Sequence, residues 1–488
     1  MKKLLPIFAS LLLACNIFSQ TVKEYEQEIA LRYSDFFEEA YQIYPGIPSG
    51  MLEAIAYTNT RIRHVNPDAE EPGCTGLPAS WGVMGLVGDG KGYFRNNLAT
   101  VADLSGYTIT EIKSSPRINI LAYAASFHAL MYEHGVKAGD ISSCLYVVEM
   151  LSELPDIRND IGNDYAMNTH LYSVVSFLNS PEKRQLYGFE DHIIDMEFIF
   201  GEQNLKVLSA GKIIVSDKGV ETENGATYQL RSTKTACPDY PVPHCSWVAS
   251  PNYSSRNGAT ISAIAIHTVQ GSYAGCISWF QNSSASASTH YVVRSSDGQL
   301  TQMVYESEKA WHIGVENPYA IGYEHEGYVD DPVWYTMPMY QSSADLTRDV
   351  CNAWNINPLR MFYRDTLDDG TVLDYGLHSL GGEGFCIKIK GHQHFPNNTH
   401  TDPGPYWTWD LYFKLVNENP AITTLTSATG NYYDSGGASG NYADDERILT
   451  LIQPPNAGNI TITFTSWSLE ADYDFLYIYD GDNEFAPR

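Results

Sequence analysis

A chain of 488 residues is too long for one hydrophobic core and implies two to four domains. With 43% apolar and only 18% charged residues it reads as globular rather than disordered. The formal net charge of −28 excludes a nucleic-acid-binding role and gives no general pull toward anionic polymers, so a cell wall has to be held by specific pockets.

Residues 1–20 read as an export signal. Lys2 and Lys3 supply the positive start, and Leu4 to Leu13 an apolar stretch too short to span a bilayer. Leu12-Leu13-Ala14-Cys15 offers one processing route, in which Cys15 is acylated and becomes a lipid anchor. Cleavage near Ser19-Gln20 offers the other, with release as a secreted protein. No other stretch is apolar enough for a transmembrane span. Export permits disulfides, and among the 8 cysteines Cys237 with Cys245 forms the expected local pair. Cys351 with Cys386 is a second, longer pairing, and the odd number outside the signal leaves at least one thiol free.

Residues 24–180 read as a helical domain. Apolar positions recur at helical spacing in Met51-Leu52 with Ile55-Ala56, and again through Ile120-Leu121, Ala124-Ala125, Phe127 and Leu130-Met131. Residues 181–245 lose this periodicity and read as a connector with accessory strands such as Ile213-Ile214-Val215. From 246 to 418 strands alternate with helices. Ile261 to Ile266 runs into His267, His290 to Val293 enters the turn at Ser296-Asp297-Gly298, Ala320 to Glu324 forms a further strand, and Ala344 to Trp354 a helix. The alternation implies an α/β domain with a central mixed sheet. In 425–488, Ile448 to Ile452 and Ile460 to Phe464 look like strands of a β-sandwich.

The chemistry gathers at three places: His267 at the exit of its strand, Gly391-His392-Gln393-His394, and His400-Thr401-Asp402-Pro403-Gly404. Two imidazoles and one carboxylate make a catalytic zinc set with a fourth position left for water, whose pKa zinc lowers to roughly 7. His394 offers an alternative ligand to His392. Glu324 and Glu326 share a strand face, because residues two apart point the same way, so strand geometry alone does not separate these two carboxylates. His290, His312, His325 and His378 read as packing or substrate-side residues.

In their order, these elements resemble the zinc-dependent N-acetylmuramoyl-L-alanine amidases, which share a fold with the peptidoglycan recognition proteins. Ser288-Thr289-His290-Tyr291-Val292-Val293, Ala310-Trp311-His312, Ile321-Gly322-Tyr323-Glu324, Gly391-His392 and Thr401-Asp402-Pro403-Gly404 carry the match, from about Ser262 to Phe413. The resemblance implies a zinc ion (Zn2+) held by His267, His392 and Asp402, with Glu324 moving the proton. It implies that His400, where relatives have lysine or histidine, stabilises the oxyanion. Trp311 and His312 would face the substrate. The implied substrate is peptidoglycan or its muropeptides, cut between muramic acid and L-alanine. A non-catalytic peptidoglycan-binding protein is the alternative, and a zinc peptidase acting within the stem peptide a third reading.

Leu52-Glu53-Ala54-Ile55-Ala56-Tyr57 and Ser80-Trp81-Gly82-Val83-Met84-Gly85-Leu86 resemble the lysozyme-like transglycosylases. Asn59 stands where that family has its glutamic acid, and an amide cannot protonate a glycosidic oxygen. This implies a glycan-binding or packing module without cleavage. Asp434-Ser435-Gly436-Gly437, Gly440-Asn441-Tyr442 and Tyr473 to Gly481 resemble a CUB-type β-sandwich, whose relatives bind calcium (Ca2+) through acidic side chains, here Glu446 and Asp474.

Overall fold

Two apolar runs, Ala263–Thr268 and Ala320–His325, set the centre of the fold, because every residue in them is buried. Parallel strands covered on both faces lack the polar alternation of a half-exposed strand. The structure, a computed structural model, describes residues 26–69, 73–155, 160–192, 194–209, 249–366, 387–395, 399–418, 422–443 and 446–469. It also describes short strands at 213–216, 219–222, 227–228, 245–247 and 372–375, and scattered positions from 474 onward. The export signal with Cys15 lies outside the described residues, as do Cys237, His378, Cys386 and the side chain of Cys245.

The central sheet contains β1 (Cys245–Trp247), β2 (Ala263–Thr268), β3 (Tyr291–Val293), β4 (Leu300–Gln302), β5 (Ala320–His325) and β6 (Ile389–Gly391). Their spatial order is β6-β2-β5-β3-β4-β1. The β6–β2, β2–β5, β5–β3 and β4–β1 pairs are parallel, and only β3–β4 is antiparallel, so the sheet is mixed as expected.

The helices that build the two faces are α1 (Ser34–Ile43), α2 (Met51–Thr60), α3 (Pro116–Glu133), α4 (Ile161–Asn179), α5 (Tyr273–Gln281), α6 (Met337–Trp354) and α7 (Trp409–Val416). On one face Ile264, Ile266 and Tyr323 pack with Tyr340, Leu346 and Val350 of α6 and with Trp407 and Tyr412. Helix α6 begins at Met337 rather than at Ala344. Thr336 caps it by accepting the Met339 N–H, and Pro338 is tolerated in the first turn, where it breaks no hydrogen bond. The helix ends at Asn355 in the left-handed conformation, where the sequence places the stop. Cys351 on α6 carries a free, buried thiol, which removes the expected pairing with Cys386.

On the other face α5 joins the amino-terminal helices in one continuous apolar core. Tyr273, Ile277, Trp279 and Phe280 of α5 share it with Leu52 and Ile55 of α2, Phe127 of α3 and Val174 of α4. Helical structure continues past residue 180 as Pro181–Tyr187, Met196–Phe200 and Glu202–Leu208, where the sequence suggested a connector. Helices this short hold too few apolar residues to display a period. The expected accessory strands follow as an antiparallel sheet of Ile213–Ser216, Gly219–Thr222 and Thr227–Tyr228.

In the carboxyl-terminal segment Ile422–Leu425 pairs in parallel with Leu449–Ile452. The expected strand Ile460 to Phe464 is irregular, with Ile460, Ile462 and Phe464 exposed. Two strands without a further sheet to pack on are marginal, and among the described residues no second sheet covers this pair. No helix among the described residues is long and apolar enough to cross a membrane.

Helix α2 is buried nearly all round, which brings Glu53 into an apolar setting where its carboxylate accepts a 2.5 Å hydrogen bond from the Tyr41 hydroxyl. Burial raises its pKa to about 7, although the Tyr41 hydrogen bond pulls the other way. A folded-state value above the unfolded one favours folding while the acid is protonated. That contribution is complete below about pH 4.5 and is lost as pH rises through about 7. Glu53→Gln should therefore match wild type in urea midpoint near pH 4 and exceed it near pH 8, the gap opening between roughly those limits. A gap independent of pH would contradict this account.

Candidate metal centre

The parallel register brings the candidate residues to the carboxyl edge of three adjacent strands. His267 on β2 stands opposite Glu324 on β5. Gly391, the last residue of β6, pairs with Ile266, so His392 emerges beside His267 in a single helical turn, His392–His394. Asp402 arrives on the following loop. A Cβ at Gly391 would lie 2.4 Å from Pro403 Cδ, so only glycine lets that loop close over the strand end. Sites at the carboxyl ends of parallel strands are the general rule for such sheets.

His267 Nδ1 lies 2.9 Å from Asp402 Oδ2, and His392 Nδ1 lies 3.2 Å from Asp402 Oδ1. Glu324 Oε1 is 4.0 Å from His267 Nδ1. Burial pushes the His267 imidazole down to about 4 against the pull of Asp402, leaving it neutral, the form that ligates a metal. Burial raises Asp402, but hydrogen bonds from His267 and His392 outweigh it and hold this carboxyl below the usual range. Glu324 is pushed well above the ordinary carboxylate value, first by burial and then by the negative charge of Asp402.

The remaining candidates separate cleanly. His400 stacks on His392, with ring centroids 4.7 Å apart. The His312 ring lies behind His267, Nδ1 to Nε2 at 3.0 Å, instead of facing open space. Gly322 makes room for it, since a Cβ there would come within 2.6 Å of that ring. Trp311 is half-buried and its indole N–H donates to Ser254 at 3.0 Å. His394 turns into the core, stacked on Phe362 with centroids 3.6 Å apart, which removes it as a rival to His392. Glu326 lies past the end of β5 and accepts the N–H groups of Tyr273 at the start of α5 and of Ser295 just beyond β3, so both its oxygens are engaged there. His290 faces the Arg256 guanidinium, and His325 bridges the His267 carbonyl and the Ser343 hydroxyl, both as packing residues.

Sequence reasoning missed Cys74. Its sulfur lies 3.6 Å from His267 Nδ1 and 3.3 Å from Glu324 Oε1, although it belongs to the amino-terminal region. Among the described residues, Cys74, His267, His392 and Asp402 form the group of metal-binding side chains whose donor atoms all lie within 4.8 Å of one another. The sequence hints at Cys74 only in that the odd number of cysteines outside the export signal leaves at least one thiol free. Glu446 and Asp474 belong to no such group among the described residues, and the Asp474 carboxylate accepts a hydrogen bond from Tyr442.

The donor chemistry fits zinc. Imidazole, carboxylate and thiol together suit that ion, whereas magnesium and calcium take all-oxygen shells. Ligands at tetrahedral zinc distances stand roughly 3.3 to 3.7 Å apart, which the spacings around His267 approximate. Glu324 Oε2 is buried beside them with no partner among the described residues.

Residues 257–405, which include His267, Glu324, His392 and Asp402 but not Cys74, match the N-acetylmuramoyl-L-alanine amidase family. N-acetylmuramoyl-L-alanine amidase A of Achromobacter lyticus is 39% identical over 170 residues, covering 35% of this chain and 90% of that protein. The chain therefore belongs to the N-acetylmuramoyl-L-alanine amidase family. 1,6-Anhydro-N-acetylmuramyl-L-alanine amidase AmpD of Salmonella typhimurium is 26% identical over 137 residues, which cover 26% of this chain and 57% of that one. Among solved structures, the selenomethionine AmpD derivative shares 20% identity over 36% of this chain and 96% of its own, at a TM-score of 0.27. Staphylococcus aureus hydrolase AmiA shares 18% over 36% and 80%, also at 0.27.

Proposed function

We propose that this chain hydrolyses the amide between the lactyl group of muramic acid and L-alanine in peptidoglycan, with zinc held by His267, His392 and Asp402. The observation that carries the reading is the meeting of these three donors beside the buried Glu324 carboxyl at one sheet edge. The identity to amidase A over nine-tenths of that protein supplies the substrate class. When bound, the ion polarises the scissile carbonyl and lowers the pKa of a water.

Glu324 takes the proton of the attacking water and passes it to the departing amine of L-alanine. Burial favours its protonated form, a nearby dication favours the ionised one, and the opposition keeps it able to accept and release a proton. His400, on the flank of His392, donates to the oxygen that gains charge as water adds. His312 fixes the ring of His267 from behind, a supporting contact that keeps a ligand oriented.

The leading segment then serves as an export signal, with Cys15 as a lipid anchor in one processing route. The amino-terminal helices form a glycan-binding or packing module of lysozyme-like ancestry. Asn59 supports this: its amide donates to the Met84 carbonyl at 3.0 Å, while its oxygen is buried without a partner among the described residues. The carboxyl-terminal segment is read as a CUB-like accessory.

Purified protein incubated with muropeptides, with zinc and then with a chelator, tests the function by mass spectrometry of the products. Intact stem peptide released from the sugar only when zinc is present is expected. Cleavage within the stem peptide would mean a peptidase. Muropeptide binding without any cleavage, in wild type and in the Cys74→Ala variant considered below, would mean a recognition protein.

A further inference from the structure

Cys74 reaches the centre from a turn that the fold holds in place. Trp279 on α5 donates its indole N–H to the Thr75 carbonyl at 2.9 Å, and the Lys91 ammonium donates to the Gly76 carbonyl. Gly73 lies so close to the end of β2 that a Cβ there would come within 2.9 Å of the Val269 carbonyl oxygen. On either side, the Arg63 guanidinium grips Asp330 through two contacts of 2.5 and 2.6 Å, and Ser80 meets the Tyr328 hydroxyl at 2.7 Å. The sulfur is thus presented by a built contact between the amino-terminal helices and the amidase sheet.

The sulfur lies within 4.8 Å of the donor atoms of His267, His392 and Asp402. A catalytic zinc site keeps one of four positions open to water, whereas a site with four protein donors is closed. With Cys74 among the four donors, Glu324 Oε1 faces a sulfur where the reaction requires a water.

We propose that Cys74 is the fourth ligand of the metal in the resting protein, so that the amino-terminal region holds the amidase latent. The proposal rests on the reading of His267, His392 and Asp402 as the residues that hold zinc. Release breaks the bond between sulfur and metal. The thiolate takes a proton from solvent water and withdraws as a neutral thiol, and the vacated position opens to solvent. An alkylating reagent makes the release permanent: with iodoacetamide a sulfur–carbon bond forms, iodide leaves, and the thioether no longer returns as a thiolate.

The full chain loaded with cobalt(II) in place of zinc provides a readout independent of activity. Wild type should show a thiolate-to-cobalt charge-transfer band in the near ultraviolet that is missing from Cys74→Ala, with equal metal content by elemental analysis. In wild type, iodoacetamide labelling mapped on peptides should be slower at Cys74 with zinc bound than after chelation. The buried Cys144, Cys276 and Cys351 serve as internal references. If the capped form makes up nine-tenths or more of the protein, Cys74→Ala should turn over muropeptides at least about tenfold faster.

Cobalt bound without the sulfur band, together with labelling of Cys74 that zinc does not slow, overturns the latch and leaves the metal reading standing. These two measurements on wild type decide even if the alanine variant does not fold. Absence of cobalt and zinc from both proteins defeats the metal reading itself, and the latch with it.

Discussion

Replacing Glu324 by glutamine should lower turnover on muropeptides by about 10²- to 10⁴-fold while zinc content and fold stay as in wild type. Glutamine keeps the shape of the side chain and loses the capacity to take a proton. The fold has little to lose: one carboxylate oxygen accepts from the Cys74 thiol, and the other has no partner among the described residues. Burial already penalises the charge, so neutralising it relieves a cost instead of adding one. The comparison is best made both in wild type and with Cys74→Ala, so that latency does not mask the drop. Turnover within about threefold of the parent in both backgrounds would remove Glu324 from the chemistry and require another base.

The second large effect falls on Asp402→Ala. This carboxylate faces both imidazoles, with one oxygen toward each. Changes to groups that merely support a ligand weaken metal affinity by about 10- to 100-fold, so deleting a ligand should exceed about a hundredfold. Competition against a chromophoric chelator measures the loss directly. Thermal unfolding gives an independent check, because a metal that binds only the folded chain raises its melting temperature, and Asp402→Ala should lose that rise. Unchanged competition and an unchanged zinc-dependent rise would show that the ion sits elsewhere.

How much of this centre is legible in the sequence depends on the reach of the signal. His267 stands out because it follows a run of apolar strand residues, where a polar side chain demands a reason, whereas the role of Glu324 is legible only through the order of elements shared with the family it resembles. Periodicity could not separate Glu324 from Glu326. The structure does so through partners that the strand pattern does not contain, the N–H groups of Tyr273 and Ser295. His392 and His394 are similarly alike on paper, and what divides them is the aromatic ring of Phe362, brought in by tertiary packing. Cys74 was beyond reach. It sits in a turn with no periodicity, and its neighbours in space lie 193 and 250 positions along the chain. The central mixed sheet followed from alternation of strand and helix. The short helices between 181 and 208 did not, because each is little more than a single capped turn or two.

The apolar core that runs from the amino-terminal helices into α5 makes the chain mechanically indivisible at residue 246. A fragment beginning there would present Tyr273, Ile277, Trp279 and Phe280 to water, a sticky patch on the back of an otherwise finished sheet. The stretch that aligns with amidase A accounts for about a third of this chain and nearly all of that protein. In this chain the face of α5 that a free-standing sheet would leave wet is finished only by the leading helices, so the two halves fold and fail together.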